Sequence, residues 1–96
     1  MGDCCKKTVR NAEEQKKLIN RLSRIEGQIR GIRTMVESDV YCNDILIQSA
    51  AVSAAINAFN RELIAGHMRN CVTRDLRAGD DTVIEELVQT LQKLMK

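Results

Sequence analysis

From Tyr41 to Cys71 the chain reads YCNDILIQSAAVSAAINAFNRELIAGHMRNC, with no proline and one glycine, Gly66. Ile45, Ile56, Phe59 and Leu63 fall at helical spacings with alanines between them, which predicts one long helix with a wide apolar face. Cys42 stands at its start. His67 and Cys71 stand at its far end, four residues apart and so stacked on one face. Two thiols and the chain's only imidazole are soft and borderline donors of the kind that suit copper(I) or zinc. From Cys42 to His67 is 25 residues, about 37 Å along an unbroken helix at about 1.5 Å per residue. One chain cannot bring all three donors to one ion. Two antiparallel copies can, because the Cys42 end of one then lies beside the His67/Cys71 end of the other. The sequence therefore predicts an obligate dimer with two metal sites across its interface.

Ninety-six residues allow one small domain, read here as residues 11–96 behind a flexible polar tail, 1–10. Aromatic residues are 2% and proline is absent, which favours helices over a sheet sandwich. A three-helix chain of this length buries only part of its apolar surface alone, so oligomerisation is expected on size grounds too. The net charge is +2, so only a clustered distribution would argue for a nucleic-acid partner. The first residues show no secretory signal, and no window approaches the ~18 apolar residues of a spanning helix. A cytoplasmic protein is expected. Its four cysteines then read as ligands or redox groups rather than structural disulfides.

Cys4 and Cys5 lie in the tail as adjacent thiols, which chelate one ion or bridge each other poorly. Asn11 followed by Glu14 predicts the start of a first helix. Ile19, Leu22, Ile25, Ile29, Ile32 and Val36 carry that helix to about Glu37, where Ser38-Asp39 breaks it. Arg10, Lys17, Arg21 and Arg24 share a stripe about 60° wide at about 100° per residue. Arg30 and Arg33 lie on the other flank. Each alone reads as solvated surface, but an aligned set can track a phosphate backbone. No second short helix is placed for a helix-turn-helix, so groove reading by a recognition helix is not supported. The second helix is predicted from Asn43-Asp44, as caps, to about Ala78, with Gly79 as its stop. Small residues from Ser49 to Ala55 suit the close approach of an antiparallel partner helix. Thr82 with Glu85 predicts a capping box for a last helix on Val83, Ile84, Leu87, Val88, Leu91, Leu94 and Met95.

His-x-x-x-Cys alone is a weak signal, since a lone histidine is more often surface or core and a lone cysteine behaves as a small hydrophobe. Cys42, arriving at the same place by antiparallel pairing, strengthens it. Two thiolates and one imidazole make a three-coordinate set. Structural zinc wants a closed tetrahedron, whereas copper(I) prefers soft thiolates, so copper(I) fits better. A ligating imidazole also needs an acceptor or partner for its second nitrogen; Glu86 of the last helix and the Tyr41 hydroxyl are the candidates.

RLSRIEGQIRGIRTMVE, DVYCNDILIQSAAVSAAINAF and HMRNCV together resemble the CsoR family of bacterial copper-sensing repressors, over roughly residues 15–96. The resemblance implies an all-α, three-helix protomer in an antiparallel four-helix-bundle dimer, and a dimer of dimers, hence a homotetramer. It implies that the metal-free form binds operator DNA and releases it on binding copper(I), switching on copper-export genes. By position, it implies Cys42, His67 and Cys71 as ligands, with Tyr41 and Glu86 supporting them. The glutamate match needs a one-residue gap after Gly79, which leaves Glu85 as an alternative. Arg21 matches a family arginine needed for DNA; Lys17 and Arg24 extend it by wheel geometry only. Cys4 and Cys5 fall outside the pattern. The family's nickel/cobalt and formaldehyde sensors lack a thiol where this chain has Cys71, and its persulfide sensors lack the histidine.

A copper-responsive repressor is therefore the leading reading. A thiol-redox or persulfide-responsive repressor of the same fold is the alternative, because two thiols meeting across an interface can also link. A copper buffer without a DNA role is a third, and it leaves the basic stripe unexplained. An enzyme is not expected: there is one histidine, no paired base and nucleophile, and no cofactor loop.

Overall fold

A computed structural model describes residues 10–79 and 81–95, and every regular element among them is helical. The order is α1 (Ala12–Glu37), α2 (Cys42–His67), a π-helical turn (Met68–Val72), α3 (Thr73–Arg77) and α4 (Thr82–Leu94). The all-α expectation holds. Cys4, Cys5 and the rest of the tail up to Val9 lie outside the described residues.

The ends of α1 are set locally. Asn11 sits in extended backbone and its side chain accepts the Glu14 N–H at 2.7 Å, while Glu13 and Glu14 place negative charge on the first turn, where the helix dipole favours it. At the other end Val40 N–H reaches back to the Met35 carbonyl (3.0 Å) and Asp39 N–H to that of Val36 (3.2 Å). This is a Schellman closure, and its left-handed position is filled by Asp39 at φ 57° where glycine is usual. Because that closure ends at Val40, only Tyr41 remains before the next helix. The Tyr41 carbonyl accepts the N–H groups of Asp44 (3.0 Å) and Ile45 (3.3 Å). α2 therefore starts at Cys42, and Asn43 and Asp44 lie inside its first turn rather than capping it as predicted.

Helicity continues past Cys71 to Arg77 as expected, but one turn is widened. Thr73 donates both its N–H and its hydroxyl to the Met68 carbonyl, the latter at 2.7 Å. That side-chain bond favours the five-residue spacing of the π turn over the four-residue spacing of the α-helix. Gly79, at φ +87°, supplies the left-handed stop. The last helix begins one residue earlier than a box capped by Thr82 would start it. Asp81 holds the cap position without a side-chain capping bond, and Thr82 is already helical, whereas a box needs its threonine in the non-helical cap position.

Two compact units result, Asn11–Leu63 and the stretch from Ile64 through α4. In the first, the short link after Glu37 folds α1 and most of α2 as a helical hairpin, and Ile25 and Val52 are its buried apolar residues. In the second, Gly66, Cys71, Val72, Asp75 and Val83 are buried. Among the described residues, no helix is long and apolar enough to cross a membrane.

Candidate metal centre and basic face

The predicted donors sit at the ends of one element. Cys42 opens α2 and is exposed; His67 closes it and is half-buried; Cys71 lies in the π turn and is 1% exposed. Both thiols are free of disulfides. Among the described residues, no three His, Cys, Asp or Glu side chains stand together as a metal-holding group. The donor set is chemically suited to a soft monovalent ion: two sulfurs and one imidazole, with no carboxylate among the three.

Sequence reasoning missed two neighbours of Cys71. Arg74 Nη2 donates to the Cys71 Sγ at 3.7 Å, and Arg74 Nε stands 3.5 Å from Asp75 Oδ1. Asp75 is 3% exposed. A buried carboxylate beside a guanidinium that touches a thiol is a polar cluster next to the buried Cys71 and Val72. Its signal was available: Arg74 and Asp75 follow Cys71 by three and four positions, the spacing that returns a helix to the same face.

Of the supporting residues predicted, Tyr41 precedes Cys42 and is 72% exposed. Glu85 and Glu86 are both exposed on the first turns of α4, so exposure does not separate them. The Glu86 backbone carbonyl accepts the Thr90 hydroxyl at 3.1 Å.

On the hairpin, three predicted basic residues come together. Lys17, Arg21 and Arg24 line a cavity of about 350 Å³ with Asn20 and, from α2, Glu62. Glu62 reaches this place because the hairpin sets it opposite the early turns of α1; spacing on α1 alone does not reveal it. Arg30 and Arg33 do not line this cavity. Arg33 instead pairs with Glu37 at 3.7 Å, both side chains well exposed, a contact worth less than about 1 kcal/mol.

With this geometry in view, the relatives become informative. The sequence model of the metal-sensitive transcriptional repressor family matches residues 14–93. The chain belongs to that family. It is 42% identical over 88 residues to the copper-sensing transcriptional repressor CsoR of Bacillus subtilis (strain 168), covering 91% of this chain and 87% of that one. Its fold is similar to the crystal structure of the copper-sensing repressor CsoR with Cu(I) from Geobacillus thermodenitrificans NG80-2, with a TM-score of 0.88 and 36% identity over 94% of this chain and 95% of that one. It is also similar to the nickel-responsive transcriptional regulator InrS, with a TM-score of 0.71 and 42% identity over 88% and 97%. The family resemblance read from the sequence thus holds. Overall identity does not rank copper over nickel, since the nickel-responsive neighbour is the more identical of the two structures, so the metal must be argued from the donors.

Proposed function

We propose that this repressor senses copper(I): the metal-free protein binds operator DNA of copper-export genes and releases it when copper(I) is bound. The observation that carries the reading is Cys71, a buried thiol one turn beyond His67 in a helix that opens with Cys42. Sulfur donors favour copper(I) over harder cations, and the copper-sensing relatives support the same choice. Cys42 of one copy with His67 and Cys71 of a second copy would hold the ion, Tyr41 and Glu86 steadying the imidazole. Bound there, the ion would link the start of one α2 to the π turn of another.

The assembly that this needs, an antiparallel dimer and a dimer of dimers, is favoured by apolar side chains left uncovered on the hairpin. Ile19, Ile29, Leu46 and Ile47 are each more than half exposed, and apolar surface of that kind gains by being covered. Lys17, Arg21 and Arg24 would meet phosphate at the cavity they line, with Arg30 and Arg33 on the flank of α1. Such binding is sequence-independent in its electrostatic part and weakens with salt. Operator binding would require the protein in the cytoplasm, where the operator lies.

The test is fluorescence anisotropy of the reduced full chain on DNA from upstream of its own operon. Copper(I) is titrated anaerobically, with nickel, zinc and a polysulfide donor as parallel arms. Release at one copper(I) per protomer, lost in Cys42→Ala, is the expected result. Release by polysulfide alone, or by nickel alone, would overturn the copper reading.

A further inference from the structure

The cluster beside Cys71 holds a buried carboxylate that the described residues satisfy only in part. Asp75 is buried, and its Oδ2 has no hydrogen-bond partner among the described residues. Its Oδ1 meets Arg74 Nε at 3.5 Å, close enough for charge attraction but without hydrogen-bond geometry. A carboxylate taken out of water with one oxygen unpaired is a cost to the fold, which the part-exposed guanidinium beside it offsets only in part. The guanidinium, however, also reaches the Cys71 sulfur at 3.7 Å. That contact is where a charge would be useful. Two thiolates and a neutral imidazole around a monovalent cation leave a net charge of −1, and Cys71, at 1% exposure, has almost no water to screen it.

We infer that Arg74, clamped by the buried Asp75, is a positioning residue of the copper site: its guanidinium holds the Cys71 sulfur and offsets the negative charge of the thiolate-bound ion. The inference rests on the copper reading above. The local geometry fits the role. The π turn ends at Val72, so Arg74 and Asp75 leave it in ordinary α-helix one turn beyond Cys71. Asp75 stands beside the guanidinium and limits the directions it can take. Arginine can touch sulfur with one nitrogen and carboxylate with another; lysine carries the charge but not the fork.

The experiment measures copper(I) affinity of the full chain by anaerobic competition with bathocuproine disulfonate. It is read together with the ultraviolet thiolate-to-copper charge-transfer band, and far-UV circular dichroism reports the fold. Groups next to metal ligands typically change affinity by about 10–100-fold when replaced. Arg74→Gln is expected to weaken copper(I) binding by that factor and to shift the band, Asp75→Asn to weaken it less, and Arg74→Lys to recover part of the loss. Wild-type affinity and band in a folded Arg74→Gln, with binding lost in Cys71→Ala, would overturn the inference while leaving the copper site standing. Wild-type binding in Cys71→Ala would instead overturn the copper site itself. Should Arg74→Gln fail to fold, Arg74→Lys and Asp75→Asn carry the test, and wild-type affinity in both overturns it.

Discussion

The two units of this chain spend their residues differently. The hairpin, Asn11–Leu63, is regular helix that buries Ile25 and Val52 and leaves Leu46, Ile47 and Ile29 more than half exposed. The unit from Ile64 onward is shorter, yet it holds the π turn, the buried thiol and the buried carboxylate. An apolar surface without a cover asks for more protein; polar groups without water ask for a ligand or a partner charge. On the proposed function the hairpin would carry assembly, the basic face and Cys42, while the second unit would bring His67 and Cys71 to the metal.

That division can be broken most forcefully at the interface. Leu46→Asp removes about 1.5–3 kcal/mol of apolar burial from each copy, and a two-fold interface counts it twice. Sedimentation velocity should show at least about a hundredfold weaker self-association, at about 1.4 kcal/mol per tenfold; an unchanged oligomer would mean that another surface assembles the protein. In the second unit, His67→Ala should leave copper held by the thiolates but loosen its hold over DNA. Coupling free energies of this type are about 1–3 kcal/mol, or about 5–150-fold in affinity. Anisotropy showing wild-type release from DNA would remove His67 from the response.

The basic face responds on a smaller scale. Arg21→Ala should weaken DNA binding similarly across sequences and reduce the salt slope by about one per lost phosphate contact. An unaltered slope would return the stripe to solvated surface. The smallest effects compare the two helix stops. An added Cβ at Gly79 meets nothing within 4 Å, so Gly79→Ala carries only the left-handed backbone cost of roughly 1–2 kcal/mol. Asp39→Gly removes the strain of φ 57° but adds chain entropy, for a gain of about 0.5 kcal/mol. Denaturant midpoints of the two variants should therefore move in opposite directions.

What the sequence determined by itself was whatever depends on neighbours a few positions apart. Asn11 and Glu14 mark the start of α1, Gly79 marks the stop after α3, and the absence of proline leaves the helices between them uninterrupted. The same short-range logic placed Cys42 at one end of α2 and His67 with Cys71 at the other. Some local bonds were still not legible, because apolar spacing does not report them: the closure at Val40 moved the start of α2 to Cys42, Asp81 took the cap position ahead of Thr82, and the Thr73 hydroxyl on the Met68 carbonyl widened one turn. Tertiary structure decided the rest. Glu62 joined three cations because a hairpin brought distant turns together, and Asp75 became a buried charge although it stands among polar residues in the sequence. Periodicity reports which face of a helix a residue occupies; whether that face meets water, a sulfur or another helix depends on packing between segments far apart in the chain.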